Sequence, residues 1–425
     1  MEKCRLCKKI FPSLLDLLYH EEDDHEIITP DRCGMCLKGF PSKSSCLRHQ
    51  QIKHDTKNLN DFLKKRVEDI SVQPSSRKIA RLEVQKFFNA LGDCFGRGIF
   101  LKQFIKSGSY STDTKVLHAD EFDFDVPLRY SLEELHLNRE GSRVHYHFHQ
   151  RQKTLNLNVK MYVYKTKSWD GVPQGFVEIR TANEYPIVPR SIQEELYKDL
   201  LCAKERLEGT KNDAPWRTVV DVRIEAKGPA LTVTIKKEGL PNISVDLCAS
   251  IATQQITLDN FDWPRWQTKD ILSERLIKSI YDAGLHLIPK TLKFWYISVS
   301  RAGRVLMKGI DANDRGCRRK CHKLLKADFQ TWIGRSGNNL PGMSTMIFKH
   351  QLFWMNEEKQ LDWSQSKIAS RYLDMLEDLS ERLRSGVLYN YFKDYENLLQ
   401  DKDQQVLNQV ANHAEARRQE LMAMG

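Results

Sequence analysis

Gly108-Ser109-Tyr110-Ser111-Thr112-Asp113-Thr114-Lys115-Val116-Leu117-His118-Ala119-Asp120-Glu121-Phe122-Asp123 sets a glycine-serine pair ahead of two carboxylates separated by a phenylalanine. In a strand, residues i and i+2 face the same way, so Glu121 and Asp123 stand side by side while Phe122 enters the core. Two like charges that close call for a cation. Farther on, Ile243-Ser244-Val245-Asp246-Leu247-Cys248 follows the same logic, with the apolar residues on one face and Ser244, Asp246 and Cys248 on the other. Mg2+ takes a few carboxylates and completes its octahedron with water and substrate phosphates. Two such ions, about 3.5–4 Å apart, can serve both the attacking and the leaving oxygen of a displacement. Glu121, Asp123 and Asp246 are therefore candidates for holding such ions. Gly108 would let backbone N–H groups approach a triphosphate, and Ser109 would add a hydroxyl donor. An isolated Asp on the polar face of a strand is ordinarily just solvated, and it is the spacing of the glycine-serine pair from the acidic pair that gives the pattern weight.

Around this stretch the periodicity changes twice. Upstream, residues 55–76 are polar and end in Gln73-Pro74-Ser75-Ser76, a linker leading to a helix. From Ile79 the apolar Leu82, Phe87, Phe88, Leu91, Cys94 and Phe95 recur at helical spacing, with Arg77, Lys78, Arg81 and Lys86 on other faces. Downstream, Leu155, Leu157, Val159, Met161 and Val163 alternate with polar residues, as do Leu231, Val233 and Ile235, which indicates a half-buried sheet. Beyond Thr268 the helical period returns, clearest in Ile368, Leu373, Leu376, Leu379 and Leu383.

The first 54 residues hold an internal repeat. Cys4-x2-Cys7-x12-His20-x4-His25 is followed by Cys33-x2-Cys36-x12-His49-x4-His54 with identical spacing. This layout puts two thiolates on a short hairpin and two imidazoles one helical turn apart, closing a tetrahedral Zn2+ site. A unit of about 25 residues has too little core to fold alone, so bound metal would supply its folding energy. The first unit carries the acidic run Glu21-Glu22-Asp23-Asp24, whereas the second carries Lys38, Lys43, Arg48 and Lys53. Nucleic-acid contact through the second unit and a protein-binding or purely structural pair both remain open.

The chain has 425 residues, enough for two or three compact units, and a formal net charge of +10, which favours polyanionic partners. No stretch approaches the roughly 20 apolar residues of a membrane span. The N-terminus lacks a charged region followed by an apolar run, so the protein is read as intracellular. Five of the ten cysteines fall in the repeat and the others are scattered, which argues against a disulfide framework and for metal-bound thiolates.

The run Gly108-Ser109-Tyr110, Glu121-Phe122-Asp123 and Ile243-Ser244-Val245-Asp246 resembles the catalytic core of cyclic GMP-AMP synthase and the animal cGAS-like receptors. The resemblance extends from about residue 60 to about 400, through Ile288-Pro289-Lys290, Trp295, Ser298-Val299-Ser300, Cys321-His322-Lys323-Leu324-Leu325-Lys326 and Tyr391-Phe392. It implies an α+β, bilobal nucleotidyltransferase fold, a mixed sheet with a spine helix plus a helical C-terminal lobe, preceded here by two small ββα zinc fingers. The expected boundaries are 1–27 and 28–56 for the fingers, 59–270 for the catalytic lobe and 271–425 for the helical lobe. By the same resemblance Glu121, Asp123 and Asp246 would be the catalytic residues and ligate two Mg2+ (or Mn2+) ions, and Asp246 would also orient the attacking ribose hydroxyl. Gly108, Ser109, Ser298, Ser300, Lys326, Lys349 and Met346 would bind nucleotide. The implied substrates are ATP, GTP or other nucleoside triphosphates, and the implied product is a cyclic dinucleotide messenger of innate immune sensing. A linear-product nucleotidyltransferase and a catalytically silent scaffold of the same fold are the alternatives.

Departures from the family matter. Residues 301–316 contain neither His nor Cys, so the zinc thumb of the DNA-sensing vertebrate enzyme is missing. Double-stranded RNA is therefore preferred over DNA as activator, with dimerisation on that ligand and a cytoplasmic or also nuclear location as further expectations. Lys64, Lys65, Arg66, Arg77, Lys78, Arg81 and the Arg318-Arg319-Lys320 cluster are the expected polyanion cations. In the base pocket Met346 stands for a tyrosine, Tyr296 for an arginine, Gly303 for a glutamate and Cys248 for a threonine. Asp125 shares the Glu121 face and is expected to support the metal ligands, and Cys317 and Cys321 are expected to be core thiols.

Overall fold

A computed structural model describes residues 59–95, 100–117, 120–128, 160–163, 176–180, 189–209, 221–227, 230–236, 241–253, 256–290, 295–312, 315–336 and 343–424, together with four two-residue strands near the N-terminus. Those strands are β1 (Glu2–Lys3), β2 (Ile10–Phe11), β3 (Asp31–Arg32) and β4 (Gly39–Phe40), paired antiparallel as β1–β2 and β3–β4. The two hairpins repeat each other's register, Glu2 opposite Phe11 and Asp31 opposite Phe40. The eight expected Zn2+ ligands, Cys4, Cys7, His20, His25, Cys33, Cys36, His49 and His54, lie outside the described residues.

Helix α1 (Leu59–Ile70) occupies sequence that reads as polar linker. Its Leu59, Phe62, Leu63, Val67 and Ile70 are buried at helical spacing, a stripe too sparse to stand out among the intervening charges. The chain divides into two compact units, one of residues 73–309 with 389–397, the other of residues 1–72, 310–388 and 398–425.

The first of these is built on a mixed sheet. Helix α2 (Pro74–Cys94) starts where Pro74 supplies a pre-set φ and no surplus N–H. It buries Ala80, Val84, Phe87, Phe88 and Leu91, with Phe88 edge-on to Phe124 of the sheet at 4.5 Å. Ile79 and Leu82, which belong to the apolar series of the sequence, are exposed instead. After β5 (Ile105–Lys106) and the one-turn α3 (Gly108–Ser111) comes β6 (Glu121–Pro127), followed by β7 (Lys160–Val163) and β8 (Phe176–Arg180). Helix α4 (Pro189–Gly209) buries Leu196, Leu200 and Ala203 and packs on α2. There Cys94 and Cys202 form a disulfide across 108 residues of sequence. Helix packing joins here two positions that no spacing rule connects.

Strands β9 (Asp221–Lys227), β10 (Ala230–Lys236) and β11 (Ile243–Thr253) follow, then α5 (Trp266–Ile271), α6 (Glu274–Ala283), β12 (Leu285–Pro289), β13 (Trp295–Ser298) and α7 (Ser300–Gly309). The sheet runs β5-β6-β11-β12-β13-β8-β7, with β10 and β9 continuing from β11. Only the β6–β11 pair is parallel among the described pairings. Residues 285–298 thus complete the sheet, and the compact unit runs to Gly309. Both strands are too short for alternation to separate them from a helical apolar run. The hairpin of β14 (Tyr389–Asn390) and β15 (Lys393–Asn397) belongs to the same unit.

The helical unit holds α1, α8 (Arg318–Ser336), α9 (Met346–Glu358), α10 (Ile368–Ser385) and α11 (Gln404–Met422). Cys317 and Cys321 are buried free thiols, as the sequence suggests. One buried carboxylate ties four helices. Asp328 of α8 meets Arg66 of α1, accepts from the Tyr372 hydroxyl of α10 at 2.5 Å and from Arg417 Nε of α11 at 3.0 Å. Burial pushes this acid up, but Arg417 and Arg66 outweigh it and bring its pKa down to about 2.

Candidate active site

The parallel pairing of β6 with β11 sets Asp246 beside Asp123 and Ser244 beside Glu121. Burial of Phe122 and Phe124 on one strand, and of Val245 and Leu247 on the other, fixes both registers, so three acids reach the same face. One carboxylate oxygen from each of Glu121, Asp123 and Asp246 lies within 4.8 Å of the other two. Glu121 is exposed and the two aspartates are half-buried, which leaves the cluster open to an incoming ion and its substrate. Three hard oxygens at that separation fit a divalent cation of the Mg2+ or Mn2+ type.

Asp246 is oriented from the next strand. Thr232, directly opposite on β10 and only 2% exposed, donates its hydroxyl to Asp246 Oδ1 at 2.7 Å. Nothing in the sequence marks Thr232, because its role depends on the β10–β11 register.

Gly108 is positioned against Asp123. Ser107 N–H donates to the Asp123 carbonyl at 2.8 Å, and the chain then turns through Gly108 at φ +60°. A Cβ at residue 108 would fall 1.7 Å from Asp123 Oδ2, so this approach of backbone to carboxylate admits glycine alone. Beyond it the chain folds on itself: Ser111 Oγ donates to Gly108 O at 2.9 Å and Thr114 N–H to Ser109 O at 3.0 Å.

Lys115, six residues before Glu121, was not singled out by its sequence. Its side chain is 7% exposed and its ammonium donates to Glu121 Oε2 at 2.5 Å, with Asp120 at 3.2 Å. Burial pulls this lysine down, yet Glu121 and then Asp120 outweigh burial and hold it above its ordinary value.

Asp125 points into a buried cluster instead of joining the three acids. His286 Nε2 and Arg301 Nε both lie 3.4 Å from Asp125 Oδ2, and Arg301 also reaches Ser250 Oγ at 3.3 Å. Burial, partly offset by Arg301, raises Asp125 to about 6. Ser298 and Ser300 belong to this neighbourhood. Ser298 Oγ accepts from Ser300 N–H at 3.2 Å at the entry to α7, and Ser300 Oγ lies 3.3 Å from His286 Nε2.

The Tyr296 hydroxyl donates to Glu396 at 2.6 Å, and Lys393 Nζ sits 4.0 Å over its ring. Cys248 is a half-buried thiol whose pKa burial pushes well up. Lys326, Lys349 and Met346 fall in the helical unit. Lys326 is buried on α8, and Met346, 42% exposed, begins α9. On α8, burial first and then the charges of Lys326, Lys349 and Lys323 hold buried His322 well below the imidazole range.

Several expected polyanion cations are otherwise engaged. Arg66 is buried against Asp328, and Arg318 and Arg319 bind Asp311, the former at 3.2 Å. Folding brings acids from distant sequence to these arginines, and a charge count cannot show that. Lys78 and Arg81 lie on the exposed face of α2. Among the described residues no helix is long and apolar enough to cross a membrane.

Two family models match the chain. Residues 110–309 match the Mab-21 protein nucleotidyltransferase domain, and residues 317–416 match the Mab-21 protein HhH/H2TH-like domain. Protein mab-21-like 3 of Danio rerio is 27% identical over 241 residues, covering 56% of this chain and 58% of that protein. A cyclic GMP-AMP synthase-like receptor of Magallana gigas is 22% identical over 395 residues, covering 86% of this chain and 59% of that protein. Mitochondrial dynamics protein MID49 of Xenopus laevis is 33% identical over 92 residues, 22% of this chain and 19% of that protein. The chain thus spans less than two thirds of the length of each of these relatives.

Proposed function

The chain belongs to the Mab-21 nucleotidyltransferase domain family, and on that premise we propose that it is a divalent-metal-dependent enzyme that joins two nucleoside triphosphates into a cyclic dinucleotide when nucleic acid binds. The convergence of Glu121, Asp123 and Asp246 within 4.8 Å carries this reading. These three side chains would hold Mg2+ or Mn2+, which when bound would neutralise charge on the transferred phosphate and the leaving pyrophosphate.

The chain's own groups divide the remaining work. Asp246, one oxygen held by Thr232, accepts a hydrogen bond from the attacking ribose hydroxyl with the other. That hydroxyl passes its proton to Asp246 as its oxygen bonds to the α-phosphorus of the second nucleotide, the α–β bridging bond breaks and pyrophosphate leaves. A second transfer in the reverse sense closes the ring. Gly108 and Ser109 grip the triphosphate through backbone N–H and hydroxyl, while Ser298, Ser300, Lys326, Lys349 and Met346 contribute to nucleotide binding.

Double-stranded RNA is the preferred trigger, with DNA second and dimerisation on the ligand, and exposed Lys78 and Arg81 are cations suited to its phosphates. The eight N-terminal Cys and His residues would bind two Zn2+, a reading supported by the repeated hairpin register. Innate immune sensing in the cytoplasm is the setting that fits a nucleic-acid-triggered messenger.

The test is incubation of the full-length protein with Mg2+ or Mn2+, all four nucleoside triphosphates and a panel of DNA and RNA duplexes, read by mass spectrometry. A phosphatase-resistant dinucleotide, absent with Asp246→Asn, is expected. A phosphatase-sensitive linear product would move the assignment to the linear class, and no Asp246-dependent product would defeat the enzyme reading.

A further inference from the structure

Lys115 brings a cation into the acidic cluster from a segment held on both sides. Asp113, two residues earlier, is bound by Arg77 of α2 at 2.6 Å. Thr112 and Thr114 hydroxyls meet at 2.7 Å, and Thr112 Oγ1 also donates to Ser109 O at 3.1 Å. Asp113 and Leu117 adopt left-handed backbone, at φ 57° and 63°, a region costly for residues with a Cβ and above all for leucine. The segment is thus strained at both sides of Lys115 and pinned to α2, to α3 and, through the lysine, to Glu121. A buried stem gives the ammonium little freedom to leave, and its partner Glu121 is 49% exposed.

Resting on the nucleotidyltransferase reading of the acidic trio, we propose that Lys115 is a built-in counter-ion of Glu121 that competes with a divalent ion for this carboxylate. Metal affinity is then set by competition with a tethered cation as well as by the ligands. Lys115 acts through Glu121 and is a positioning residue. Partial exposure of Glu121 screens the pair, so the competition is moderate.

Mn2+ titration of the full-length protein, followed by the electron paramagnetic resonance of free Mn2+, tests this. Lys115→Met should bind Mn2+ about tenfold more tightly than wild type, and Lys115→Arg should return to the wild-type value. Hydrogen exchange on the unaltered protein supplies a readout that needs no variant, since amides of residues 113–117 should exchange faster once Mn2+ is added. Equal or weaker binding by Lys115→Met, or unchanged exchange at 113–117 in protein that binds Mn2+, would overturn the counter-ion role while leaving the metal site intact. Wild-type protein that binds no Mn2+ would remove the metal reading and this inference together.

Discussion

Asp328 in the helical unit and Glu121, Asp123 and Asp246 in the sheet unit are two ways for a fold to keep carboxylates. Around Asp328, two arginines and a tyrosine hydroxyl from three other helices converge on one buried acid. Around the trio, like charges from two strands converge on an open face, with Lys115 at Glu121 and Thr232 at Asp246. Surplus donors around a single buried acid make a structural clamp. Gathered acids at the surface leave folding energy unspent on neutralisation and create affinity for a cation.

The largest effect should come from breaking the clamp. Asp328→Ala leaves Arg66 and Arg417 buried with reduced compensation, and chemical denaturation should show a loss of roughly 3–5 kcal/mol. Asp246→Asn, in contrast, should unfold at the same denaturant concentration as wild type or a higher one. If both substitutions cost equally, the distinction between the two clusters fails.

Acid should separate the regions next. Asp328 titrates near 2 in the fold against an ordinary 3.8, so its contribution is fully present above 3.8 and is lost as pH falls through 2. Wild type should lose roughly 2 kcal/mol more than Asp328→Asn between pH 4 and pH 2. Parallel loss in both proteins would place the linkage elsewhere.

A smaller effect tests the orientation of Asp246. Thr232→Val keeps the shape and removes the donor to Oδ1, and turnover should fall about tenfold with stability within about 1.5 kcal/mol of wild type. Unchanged turnover would mean that the β10 hydroxyl does not position the acid.

Much of this contrast can be read in the sequence on one side and little on the other. Alternation in 121–125 and 243–248 gave the two strands and the face of each acid, because a half-buried strand records its own orientation residue by residue. The parallel register that seats Asp246 against Asp123, and with it Thr232, is non-local and leaves no periodic trace. The clamp was hidden for the same reason: Arg66 looked like one more surface cation, and α1 like a linker, until Asp328 arrived from 262 residues away. Cys94 and Cys202 are a further pair made by helix packing. Ile79 and Leu82 fit the helical period yet lie exposed, since periodicity gives a stripe without fixing its edges.

The central claim is that Glu121, Asp123 and Asp246 form a divalent-metal site. Anomalous diffraction from crystals grown with Mn2+ and a non-hydrolysable nucleoside triphosphate tests it most directly. The account predicts two anomalous peaks about 3.5–4 Å apart, each in contact with carboxylates of these residues, and their loss in Asp246→Asn. Mn2+ density elsewhere, with none at these three side chains, would contradict it.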